Sequence, residues 1–163
     1  MIKNETISKI KSSFALDING VHGLGHWARV LDNGMKIAET NGANVKVIQA
    51  FALLHDCCRE NEYGDSKHGF RAAQLICKYF KNSLNNFESY LLYEACSLHT
   101  QDRTHLNLTV RTCFDADRLS LPRVGIAVDP KQLCTDESKK LIPWATENSL
   151  SGTIPDNILG WAI

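Results

Sequence analysis

Apolar residues recur at intervals of three and four through the first 121 residues, and no segment alternates in the manner of a strand. This spacing predicts helices over about 25–40, 45–58, 68–80, 86–98 and 106–121. Asn41-Gly42 reads as a helix stop after the first of them. The polar stretch 59–67 reads as a loop. All four prolines lie beyond residue 121, so nothing of that kind interrupts the earlier helices. Past Pro122 the periodicity weakens, and only 131–133 and 137–145 suggest short helices. The expectation is an all-α fold: a compact bundle of about five core helices followed by short C-terminal ones.

Size and composition narrow the picture further. A chain of 163 residues reads as one domain, large enough to bury a core without disulfides. Eighteen basic residues balance eighteen acidic ones, so no overall charge argues for a nucleic-acid or membrane partner. No apolar run reaches the ~18 residues of a membrane span. The first residues lack a secretion-type hydrophobic segment. None of the six cysteines forms a C-x-x-C pair, and most lie in apolar stretches. They read as reduced thiols of a cytoplasmic protein.

The candidate chemistry lies in histidines and aspartates set on apolar helix faces. His55 continues the stripe Val47, Ile48, Phe51, and Asp56 follows it at the edge of the core. His99 continues Leu92, Ala95 and Cys96. Asp117 lies in a stripe with Val110, Cys113, Phe114 and Leu121, where a carboxylate is costly unless paired or bound to a metal. Asp115, about 200° from Asp117 round the helix, shares a face with Arg111 and Arg118 and reads as a solvated ion pair. His26 lines up with Val30 and Ile37 and faces inward. His22 falls on the preceding turn, as a structural or pocket-rim residue. Trp27 reads as a core residue, and Arg59 and Glu60 as solvated loop charges.

In chain order these residues form the series His26, His55-Asp56, Asp117. With the local texts HWARV, ALLHD and DADRL, this resembles the H…HD…D signature of the HD superfamily over about residues 20–125. Residues 126–163 would then be a C-terminal extension of a single HD domain. The resemblance implies an all-helical fold and metal-dependent hydrolysis of phosphomonoesters or phosphodiesters. By motif, His26, His55, Asp56 and Asp117 match the four metal ligands. His68 and His99 fall where two-metal members hold a second ion, with Asp56 bridging. The alternative is one ion, with His68 and His99 contacting phosphate. The chain lacks a GYP segment, and Arg59-Glu60 and Arg118-Leu119-Ser120-Leu121 stand where the alarmone hydrolases carry other residues.

The implied cofactor is one or two divalent ions among Mn, Fe, Mg, Zn, Co and Ni. The implied partner is a small phosphorylated substrate, nucleotides included. Asp56 is the expected residue to orient or deprotonate the attacking water, and Lys67, His68 and His99 to neutralise phosphate charge. Two other readings share the same ligands: a di-iron oxygenase of the HD fold, and a non-catalytic module that binds a metal or a nucleotide.

Overall fold

The computed structural model describes residues 2–155. The elements run α1 (Asn4–Ser13), α2 (Leu24–Asn41), α3 (Val45–Leu54), α4 (His68–Ala73), α5 (Ile76–Phe80), α6 (Asn86–Leu98), α7 (Leu108–Arg118), α8 (Asp136–Lys140) and α9 (Ile142–Leu150). Short 3-10 turns at Leu121–Val124 and Pro130–Gln132 lie between α7 and α8. No strand occurs among the described residues, so the fold is all-α. No described helix is long and apolar enough to cross a membrane.

Local chemistry sets the helix ends. Asn44 caps α3, its side chain accepting from the amides of Lys46 and Val47. Asn85 and Glu88 form a reciprocal capping box at the start of α6. Asn107 caps α7. Gly42 ends α2 in the left-handed region at φ 72°, as the Asn41-Gly42 stop predicts. Spacing alone does not predict α1, in which only Ile7 and Ile10 are buried. The predicted helix 68–80 is broken near Gln74–Leu75 into α4 and α5.

The core lies where α2, α3, α6 and α7 meet. α2 packs on α7 and α3, α3 on α6, and α6 on α4 and α7. Trp27, Phe51, Phe80, Phe114, Ile48 and Leu92 fill the interior. Trp27 packs edge-on to Phe14, the core role its position predicts. Gly34 allows α2 to press on α3, since a Cβ there would lie 2.5 Å from a methyl of Ile48. The buried Asn33 amide donates to the Ala116 carbonyl and ties α2 to α7 beside Asp117.

A smaller apolar cluster lies on the other side of α7. Ile37, Leu119, Leu133 and Ala145 form it, with Val128, Leu141, Ile142 and Trp144 packed against them. The C-terminal segments thus cover the face of α7 that the helical pattern leaves to solvent. Asp115 shows the consequence. It is fully buried, and its carboxylate accepts from the amides of Cys134 and Thr135 and the hydroxyls of Thr135 and Ser138, at 2.7–2.9 Å. The expected solvated ion pair with Arg111 and Arg118 is therefore replaced by a buried cap on the 133–138 turn. Arg118 instead donates to the carbonyls of Asp102, Arg103 and Gln132.

Candidate metal centre

Helix ends converge on one small volume. His26 lies in the first turn of α2, His55 and Asp56 follow α3, His68 opens α4, His99 follows α6, and Asp117 lies near the end of α7. All but Asp117 are buried, and the Asp117 side chain keeps 23% of its surface exposed. A second close approach makes this possible. A Cβ on Gly69 would lie 2.1 Å from the Cys96 carbonyl oxygen, so only glycine lets α4 meet α6 and bring His68 to His99.

The six side chains fall into two triads, His26–His55–Asp117 and Asp56–His68–His99. In the first, His26 Nε2 lies 3.0 Å from His55 Nε2 and 3.3 Å from Asp117 Oδ1. In the second, His68 Nε2 lies 3.1 Å from His99 Nε2 and 2.9 Å from Asp56 Oδ1. The other oxygen of Asp56, Oδ2, lies 3.3 Å from His26 Nε2 and 3.6 Å from His55 Nε2. One carboxylate therefore faces both triads. Ligand atoms bound to one ion at about 2.1 Å stand about 3.0–3.4 Å apart in octahedral or tetrahedral geometry. The separations here fall around that range.

The outer edges of the imidazoles show which nitrogen is free. His55 Nδ1 meets the Phe51 carbonyl at 3.0 Å, and His99 Nδ1 meets the Cys96 carbonyl at 2.8 Å. His68 Nδ1 meets the Asp65 carbonyl, and His26 Nδ1 meets the Ser120 hydroxyl at 3.1 Å. A carbonyl accepts only from N–H, so the contacts of His55, His68 and His99 fix the proton on Nδ1 and leave Nε2 as an inward lone pair, and the Ser120 hydroxyl is able to accept the same proton from His26. Four such lone pairs and two carboxylates form a donor set that fits divalent transition ions.

Without an ion, protons on some inward nitrogens stand in for it. Burial pushes the His55 imidazole down to about 3 and depresses His99 as well, so both rings stay neutral. Burial alone would raise the carboxyls of Asp56 and Asp117. The facing imidazoles outweigh it and hold both well below the usual carboxylate range. A divalent ion would take the place of the protons these groups share, and its binding would release them.

Three further residues border the centre. Arg59 is not a solvated loop charge: it is buried, with Nη1 3.6 Å from Asp56 Oδ1, against the His68 ring, and Nη2 donating to the Tyr63 carbonyl. The loop holds it there because Asp65 accepts from the Glu60 and Lys67 amides and from Arg71. Glu60, by contrast, is exposed and pairs with Arg71. His22 stands at the rim with its ring edge-on to His26 and its Nδ1 bonded to Glu62. Ser120 is the third, a residue to which sequence spacing assigned no role. Its only signal is its place one turn after Asp117.

Lys67 does not join the cluster. It is exposed and, with Phe70, Tyr93 and Glu94, lines a separate surface pocket of about 460 Å3. The residue adjacent to His68 on a helical turn points about 100° away from it.

A family model described as HD domain matches residues 23–121, which include all six of these side chains. No curated protein and no solved structure matches the chain.

Proposed function

Because the chain belongs to the HD-domain family, we propose that it is a metal-dependent phosphohydrolase that cleaves a small phosphomonoester or phosphodiester, nucleotides included, with two divalent ions side by side. The observation that carries this reading is Asp56. One of its oxygens faces His26 and His55, and the other faces His68.

His26, His55, Asp117 and Asp56 Oδ2 would hold one ion. Asp56 Oδ1, His68 and His99 would hold the other. Mn, Fe, Mg, Zn, Co and Ni are the candidates, and the imidazole-rich set favours the transition ions among them. Such an ion, when bound, supplies a water whose pKa falls from 15.7 towards ~7 and a Lewis acid for the phosphoryl oxygen.

The protein's own groups do the rest. Asp56, which faces both triads, would orient the attacking water. The 23% exposure of the Asp117 side chain, against 4% for Asp56, supports an entrance on the Asp117 side. Arg59 supplies a fixed cation where phosphoryl charge gathers, a role expected of Lys67 together with His68 and His99. His22, held through Nδ1 by Glu62, is placed at the rim to exchange a proton with the leaving group through its other nitrogen.

The test is a screen of the purified protein, loaded in turn with each candidate ion, against para-nitrophenyl phosphate, bis-para-nitrophenyl phosphate and a set of nucleotides. Metal-dependent release of phosphate or nitrophenol is expected. Asp56→Ala should abolish it while helical circular dichroism is kept. Full activity in that variant contradicts the reading. So does the absence of hydrolysis with every ion; oxygen uptake would then point to the oxygenase chemistry, and tight nucleotide binding without turnover to a binding module.

A further inference from the structure

On the outer side of His26 lies a second concavity, of about 430 Å3. Among the described residues that line it are Arg29, Arg123, His26, Gly25, Leu150 and Ile154. Two guanidiniums thus share one pocket, whereas the arginine ion pairs among the described residues are those of Arg59 and Arg71. Burial works against the charge of both; at Arg123 the Asp117 and Asp56 carboxylates partly offset it, while Arg29 and Arg59 add to it.

Both cations are fixed. Arg123 Nε donates to the Val21 carbonyl at 2.9 Å, and its Nη1 to the Ser120 carbonyl at 2.8 Å and the Ser120 hydroxyl at 3.4 Å. Those bonds use one edge of the guanidinium and leave its Nη2 without a described protein acceptor. Arg29 Nη1 donates to the Gly25 carbonyl at 2.9 Å, and its Nε is buried without a partner. A buried donor without an acceptor and two fixed like charges in one cavity are costly unless an anion completes them. The first turn of α2, which reaches this pocket through Gly25 and His26, contains no acidic residue. Its positive end adds to the field of the two arginines.

The pocket is coupled to the metal centre through two side chains. Arg123 reaches Ser120, and Ser120 meets His26 Nδ1, whose opposite nitrogen faces His55 and Asp117. One imidazole ring therefore separates the two regions. We propose that Arg29 and Arg123 form an oxyanion subsite that holds a second phosphate group of the substrate while the first lies at the metal centre. Leu150 and Ile154 offer apolar surface for the part of the molecule between them. The substrate class is then a small organic molecule with two separate phosphate groups, a nucleoside bisphosphate being the simplest probe. This role of the pocket rests on the phosphohydrolase reading, but its affinity for an oxyanion does not.

Two measurements separate the cases. Sulfate, a dianion that cannot be hydrolysed as a phosphate ester, is titrated calorimetrically into the purified full chain and into Arg29→Gln, Arg123→Gln and the double variant. Each single change should weaken binding about tenfold or more, as loss of a charge-assisted hydrogen bond does, and the double variant should not bind measurably. Arg29→Gln keeps the test valid should Arg123→Gln, which loses three internal bonds, misfold by circular dichroism. Unchanged sulfate affinity in folded Arg29→Gln overturns the subsite whether or not the protein hydrolyses anything. The second measurement is the ratio of kcat/KM for a nucleoside bisphosphate to that for para-nitrophenyl phosphate. Arg29→Gln should lower this ratio about tenfold, mainly through the KM of the bisphosphate. An unchanged ratio beside weakened sulfate binding would mean that the pocket takes free phosphate, and would overturn the substrate assignment.

Discussion

Two carboxylates on α7, two residues apart, meet opposite surroundings. Asp115 faces the C-terminal segment and is surrounded by amide and hydroxyl donors, each contributed by the 133–138 turn. Asp117 faces α2 and α3, and its nearest polar neighbours are imidazoles whose outer nitrogens are already committed to other acceptors. The first carboxylate needs nothing more. The second sits among groups that share its need for a cation. Burial alone therefore does not mark a functional acid: Asp115 is the more buried of the two. What marks Asp117 is the lack of enough fixed donors to hold its charge.

The largest way to sharpen that contrast is Asp117→Asn. The amide keeps the shape but removes a charge from the ligand set, and metal content and metal-dependent activity should fall more than about a hundredfold, beyond what loss of an outer partner costs. Elemental analysis after gel filtration and a phosphate-release assay check this. Ser120→Ala should come next. It frees His26 Nδ1 from its partner and should weaken metal binding about 10–100-fold with little change in helical content, as read by chelator competition. Asp115→Asn should do the reverse of Asp117→Asn. Replacing one oxygen by NH2 sets a donor against the donors of Thr135 and Ser138 and should cost about 2–3 kcal/mol in urea unfolding, while metal content stays within about twofold. Loss of metal in Asp115→Asn with retention in Asp117→Asn would invert the assignment.

A smaller effect is the pH response of the metal-free protein. His55 titrates near 6.5 when unfolded and near 3 when folded, so between those values the unfolded state binds more protons. Its contribution to stability is complete above about pH 6.5 and declines as pH falls towards 3. His99 acts in the same direction, and the two depressed carboxylates extend the loss at lower pH. Thermal unfolding across this window should show a slope that His55→Asn reduces. A flat profile would mean that the rings are not held neutral.

The comparison also bounds what helical phase can reveal. It picks Asp117 and His26 for the centre because it reports which residues share the stripe packed on α2 and α3. It cannot show that α7 is covered on two faces. The cover on the Asp115 side comes from residues 133–138, whose own pattern is too short and polar to signal burial. Arg59 escapes notice for a related reason. It lies in a polar loop, and its burial depends on the contacts of Asp65 with Glu60 and Arg71. The tautomers of the histidines are legible in part: His55 and His99 each reach a carbonyl three or four residues back, as helix-end residues can. The place of Asp56 between the two triads is legible only through the family resemblance, because helical phase carries no sign that Gly69 lets α4 and α6 touch.

The central claim is that two ions share Asp56. It is tested most directly by metal stoichiometry of the purified chain after loading with excess Mn and removal of free ion, measured beside His99→Ala. About two ions per chain are expected for the wild type and about one for the variant, which loses a ligand from only one triad. One ion or none in the wild type, or two in both proteins, would contradict it.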